Sequence, residues 1–91
     1  MESAPSVERY LIELARPAAG WSELQAVTAR ARAAADELRA AGTPVRFLRS
    51  IFVPEDDSCL LLFEAPSAEA AGTAGRLASP AVERVTRAVR A

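Results

Sequence analysis

Residues 8–15, ERYLIELA, alternate with a period of two. Tyr10, Ile12 and Leu14 fall on one side of an extended chain, and Arg9, Leu11, Glu13 and Ala15 on the other. This pattern predicts a strand. Arg16 to Gly20 contains a proline and a glycine and reads as a connection. The period then changes: Leu24, Val27, Ala31, Ala34, Leu38 and Ala41 recur at spacings of three and four. An amphipathic helix is predicted over about 22–41, with Ser22 as N-cap, Gln25 completing a capping box and Gly42 as the stop.

Val45 to Val53 and Ser58 to Ala65 read as two further strands, joined by the turn chemistry of Pro54-Glu55-Asp56-Asp57. Ser67 is suited to cap a second helix, with Pro66 outside it and Glu69 in the first turn, where the helix dipole favours an anion. Gly72 and Gly75 weaken that helix by about 1 kcal/mol each relative to alanine, but they permit close approach to a neighbour. Ser79-Pro80 ends it, and a turn runs on through Glu83. Arg84 to Arg90 alternates as a fourth strand, with Val85, Arg87 and Val89 opposite Thr86 and Ala88; a helix is the rival reading of this segment. The order is βαββαβ. A split βαβ arrangement of this kind gives a four-stranded antiparallel sheet with both helices on one face.

Hairpin register decides which side chains share a face. With a four-residue loop at Pro54–Asp57, Val53 opposes Ser58, Arg49 opposes Leu62 and Phe47 opposes Glu64. Leu48, Ser50, Phe52, Cys59, Leu61 and Phe63 then join Tyr10, Ile12 and Leu14 in an apolar layer beneath the helices. The other face holds Leu11, Phe47, Ile51, Leu60 and Leu62 together with Arg9, Glu13, Arg49 and Glu64. A slip of one residue would place Arg49 in the core, where an unpaired charge is costly. This second face is too apolar to stand in water alone. The simplest cover is a second copy packed sheet against sheet, which creates a barrel with an apolar lining and a few charges. Small-molecule pockets have the same mixture.

Composition narrows the chemistry. A chain of 91 residues forms one small domain with a thin core, for which oligomerisation is one remedy. We expect a frayed tail over 1–7 and a single domain over 8–91. The net charge of −1 supplies no field for nucleic acid or an acidic membrane, and all eleven cations are arginine. There is no histidine, so the usual neutral-pH base and the commonest transition-metal ligand are missing. The single cysteine excludes an internal disulfide or a multi-cysteine metal site. No cofactor and no metal are expected. MESAPSVERY lacks the form of a signal peptide, and the longest apolar run, Cys59 to Phe63, is too short to span a bilayer. The expected location is cytoplasmic.

Several groups merit weighing as sites. Glu55, Asp56 and Asp57 are consecutive, whereas calcium loops alternate their ligands, so a plain turn is the stronger reading. Cys59 has no histidine to activate it and reads as a small buried hydrophobe. Glu64 and Arg9 are expected to meet on the barrel-facing side, as an ion pair or as a ligand-orienting or proton-transferring couple. In a dry lining Glu64 would gain the raised pKa of a general base; Glu13 offers the same chemistry toward the other end. Arg49 would hold an anionic group or an interface acid. Arg84, Arg87 and Arg90 read as a solvated face. An RNA-recognition domain shares the element order, but SCLLLFEA lacks the basic and aromatic residues that stack bases. The GTAG at 72–75 is too weak a signal, in the wrong element order, for a KH loop.

Three stretches, ERYLIE (8–13), VRFLRSIFVPEDDSCLLLFEAPSAEA (45–70) and PAVERV (80–85), resemble a family of small actinobacterial proteins. That family is known as a domain of unknown function or after a described nickel-binding member. The resemblance covers roughly residues 8–89, and the VPEDD–Cys–LFEAPS block is its most specific part. It implies a ferredoxin-like βαββαβ protomer and a homodimeric α+β barrel. The wider barrel superfamily includes monooxygenases, cyclases, haem-handling enzymes and small-molecule binders, so the fold alone leaves the chemistry open. The nickel-binding member's site uses histidine; this chain has none, so nickel binding does not carry over. Many members have an aromatic residue and a second cysteine where Leu60 and Leu61 stand here, which implies an altered or partly filled pocket.

The resulting expectation is a non-catalytic homodimeric barrel that binds a small apolar or aromatic molecule, with Arg9, Leu11, Glu13, Phe47, Arg49, Leu62 and Glu64 lining it. The alternative is a cofactor-independent enzyme of cyclase or monooxygenase type with Glu64 or Glu13 as acid and base. A third possibility is a structural dimer with a filled interior.

Overall fold

The structure, a computed structural model, describes residues 6–15 and 20–89. The elements are β1 (Glu8–Leu14), α1 (Gly20–Ala40), β2 (Arg46–Val53), a short 3-10 turn (Pro54–Asp56), β3 (Ser58–Ala65), α2 (Ala68–Ala78) and β4 (Val82–Ala88). The strands form one sheet in the order β2-β3-β1-β4, with antiparallel neighbours throughout. This is the ferredoxin-like α+β fold. Tyr10, Ile12, Leu14, Cys59, Leu61 and Phe63 form one core cluster with Leu24, Val27 and Ala31 of α1 and Ala71, Ala74 and Ala78 of α2. Both helices therefore cover the same sheet face.

Local chemistry sets the connections. The Ser67 hydroxyl accepts a hydrogen bond from the Ala70 N–H at 3.1 Å and caps α2. Gly42, at φ 101°, ends α1: its N–H donates to Arg39 O, while the Thr43 N–H donates to Leu38 O. These two bonds form the Schellman arrangement, which satisfies the last carbonyls of the helix. In the hairpin, Asp57 takes the left-handed conformation at φ 53° and its N–H closes on Pro54 O at 3.2 Å. A short polar side chain tolerates that geometry.

Two expected boundaries move. Helix α1 begins at Gly20, so Ser22 lies within the first turn and is not its cap; the open first turn has no intrahelical partners for its N–H groups, so an early start costs little. Strand β4 begins at Val82, ahead of Arg84, because an irregularity between Glu13 and Leu14 lets Val82 pair with Leu14 and pack on the core. Residues 84–88 are strand, which removes the helical reading there. The tail over 1–5, Arg16–Ala19 of the first connection and Arg90 lie outside the described residues.

The β2–β3 register holds for Val53↔Ser58 through Arg49↔Leu62 and then shifts. Leu48 is the extra residue of a bulge, so Phe47 pairs with Phe63 and Arg46 with Glu64. The expected Phe47↔Glu64 pairing is corrected accordingly. Phe47 packs against the core cluster, edge-on to the Phe63 ring at 5.3 Å, with the Arg32 guanidinium of α1 over it at 5.6 Å. Burial of a large ring and a cation–π contact favour the shift. Leu48, expected among the core residues, has no cross-strand partner.

Helix α2 sits close to the sheet through Gly75. A Cβ there would lie 2.9 Å from Ile12 Cγ2 and 3.3 Å from Val82 Cγ2. At Gly72 the nearest atoms are the mobile ends of Arg76, at 3.1 and 3.6 Å, with Val85 Cγ2 also at 3.6 Å. The two helices are further tied by the Arg30 Nε–H, which donates to Ala78 O at 2.7 Å at the end of α2, where a cation complements the helix dipole.

The glycines should separate on substitution. Gly75→Ala is expected to destabilise by about 1–2 kcal/mol, overpacking outweighing the gain in helix propensity. Gly72→Ala should be neutral or stabilising by up to about 1 kcal/mol. Urea denaturation of the two variants checks the difference in sign.

Candidate functional site on the open sheet face

Strand alternation places Arg9, Leu11 and Glu13 of β1, Leu60, Leu62 and Glu64 of β3, and Arg49, Ile51 and Val53 of β2 on the face away from the helices. The bulge adds Arg46 to that face, opposite Glu64. Strand β4 contributes Arg84 opposite Glu13 and Thr86 opposite Leu11. The centre is an apolar wall of Leu11, Ile51, Val53, Leu60 and Leu62, each half-buried by its neighbours. Among the described residues, no helix lies over it.

The charges gather at the two ends of the wall. Arg9 and Glu64 are direct cross-strand partners, with Nε 3.9 Å from Oε2. Arg46 approaches the other oxygen of the same carboxylate, with Nη1 3.7 Å from Oε1. Glu64 thus lies between two guanidiniums. At the opposite end Arg84 Nε stands 3.7 Å from Glu13 Oε1. The Arg46 and Arg84 side chains keep 68% and 72% of their exposure, so in a single protomer these pairs contribute at most about 1 kcal/mol each. Arg49 lies opposite Leu62 and next to Ile51 on this face, and it forms no ion pair or hydrogen bond among the described residues.

Six of the seven expected lining residues share this face: Arg9, Leu11, Glu13, Arg49, Leu62 and Glu64. Phe47 does not, because the bulge directs it to the helix side. Arg46 and Arg84 were not expected here. In an unbulged register Arg46 would oppose Ala65, and no residue in VRFLRSIFV announces the insertion. Arg84 and Arg87 are both exposed, as expected, but lie on opposite sheet faces: Arg84 meets Glu13 on the open face, while Arg87 donates to Glu8 at 3.0 Å near the strand ends.

Two open concavities flank the site without lying on the apolar wall. One, of about 380 Å³, is lined by Glu8, Arg9, Arg87, Ala88 and Val89. The other, of about 250 Å³, is lined by residues of α1 and β2 that include Arg32, Arg46 and Phe47. Among the described residues, no three His, Cys, Asp or Glu side chains gather as a metal cluster would require, and no helix is long and apolar enough to cross a membrane.

Cys59 is buried in the core beneath the helices. Burial raises its thiol pKa, and the nearby Asp57 carboxylate raises it further. Both effects favour the neutral thiol and oppose a nucleophilic role. Since the folded value is the higher one, the associated stability is complete below the unfolded thiol's value of about 8.5 and is lost as pH rises through the folded value. Wild type should therefore lose more stability than Cys59→Ala between pH 7 and pH 10 in urea titrations. The native thiol should also resist a disulfide reagent that labels the unfolded chain at once.

Comparison with known protein families, with curated proteins and with solved structures finds no match to the chain.

Proposed function

We propose that the protein is a cytoplasmic, homodimeric small-molecule-binding barrel, closed by two copies packed open face on open face. The observation that carries this reading is the wall of Leu11, Ile51, Val53, Leu60 and Leu62 on the face away from both described helices. Exposed apolar area of this kind is driven out of water, and stacked sheets pack about 10 Å apart with interdigitated side chains. A second copy brings the same apolar wall to the face, and the acids beside that wall are already matched. Glu64 faces Arg9 and Arg46, and Glu13 faces Arg84, so closure strands no carboxylate. The resemblance to barrel-forming actinobacterial proteins points the same way. Neither nucleic acid nor a membrane is a partner in this reading.

Ligand binding is favoured over catalysis by the state of Glu64. Each of its oxygens faces a guanidinium, through Oε2 to Arg9 and Oε1 to Arg46. A carboxylate flanked by two cations suits orienting a ligand or an interface more than taking a substrate proton. The cyclase- or monooxygenase-like alternative gains no comparable support.

Sedimentation and light scattering should give a particle of twice the 9.7 kDa protomer. Leu62→Asp is expected to weaken the dimer at least tenfold while retaining the helical circular dichroism. A wild-type monomer at micromolar concentration would sink the reading. Glu64→Gln should keep the dimer; dissociation of that variant would instead make the Arg–Glu pairs interface contacts.

A further inference from the structure

The charge on the open face is unevenly matched. Among the cross-strand partners on that face, Arg9, Arg46, Arg49 and Arg84 stand against only Glu13 and Glu64. The chain as a whole carries a net charge of −1, so this face is cationic on an acidic protein. Three of the arginines face a glutamate. The fourth, Arg49, stands in the apolar wall between Leu62 across the ladder and Ile51 along its own strand, one open-face position from Glu64. Its length of separation from Glu64 is that of a diagonal neighbour, and no ion pair joins them.

Closing a barrel over this face removes water from Arg49. A guanidinium does not shed its proton, so it must find an anion or a set of acceptors there. The described open face of a second copy does not supply one. It brings the same four arginines and two glutamates, and those glutamates already face guanidiniums. Two cationic faces brought together double the surplus. The bulge at Leu48 adds to the effect by moving Phe47 off this face and bringing Arg46 onto it.

We infer that the molecule held between the two sheets is a small apolar or aromatic anion, and that Arg49 receives its carboxylate, sulfonate or phosphate group. This rests on the dimeric barrel proposed above and names its ligand class. The planar fork of arginine matches the two oxygens of such a group, and the surrounding leucines and isoleucine suit the apolar body.

The test uses the full chain at pH 7 with 2-naphthoate and its neutral counterpart 2-naphthol, measured by calorimetry alongside the sedimentation of each variant. Naphthoate should bind wild type at least tenfold more tightly than naphthol. Arg49→Gln should lower naphthoate affinity at least tenfold, leave naphthol unchanged and keep the dimer; Arg49→Lys should retain part of the preference. Equal binding of the two probes, or a preference that survives Arg49→Gln, overturns the inference. So does a dimer that dissociates on Arg49→Gln, because Arg49 would then pair across the interface. A dimer that binds neither probe overturns it together with the ligand half of the preceding reading. A monomeric wild type fails at the earlier step and is recognised by its mass.

Discussion

A strand has two faces, and β3 places apolar side chains on both. Cys59, Leu61, Phe63 and Ala65 go to the core, while Leu60 and Leu62 go to the other side. The strand is also hydrogen-bonded along both edges, to β2 and β1, so its orientation is fixed by its neighbours and cannot rotate to hide one side. Both helices of the described residues lie on the core face, so neither covers the second apolar surface. The arrangement of charges at the ends of that surface and the state of Glu64 depend on this constraint.

The bulge in β2 redistributes side chains between the two faces. It gives the core a ring, Phe47 against Phe63, and gives the open face a cation, Arg46 beside Glu64. One inserted residue thereby converts a single expected ion pair, Arg9–Glu64, into a carboxylate held from two strands. Bulges near sheet edges commonly re-aim a side chain, and β2 is an edge strand.

Much of the architecture could be read from residue patterns because those patterns are local. The period-two stretches, the Ser67 cap, the Gly42 stop and the Pro54–Asp57 turn each depend on residues within one or two turns of chain. The Arg9–Glu64 pairing was also legible, since it follows from element order and strand direction. The bulge was not. Its cause is the gain in burial when Phe47 meets Phe63 and Arg32, residues distant in sequence, and alternation alone assigns Phe47 to the wrong face. The same reason hides Arg46 as a partner of Glu64, whereas Arg84 meets Glu13 through the β1–β4 ladder, whose register joins the two ends of the sequence. The start of β4 moved for a comparable cause, the packing of Val82 on the core through an irregularity in the ladder.

The sheet order has a temporal consequence. Of the described elements β1 is made first and β4 last, yet the two are neighbours: Arg9 pairs with Ala88 and Leu14 with Val82. During synthesis, β1 can pair with β3 as soon as the hairpin emerges, but its second edge stays open until about seventy residues beyond β1 have been added. Such distant pairing is entropically late. For that interval the nascent chain carries an unpaired edge beside Ile12 and Leu14, and α2, whose close seat depends on Ile12 and Val82, has only half of its floor. The arginine and glutamate side chains that punctuate β1 and β4 then serve a further purpose, as charged interruptions along an edge that would otherwise invite a neighbouring chain.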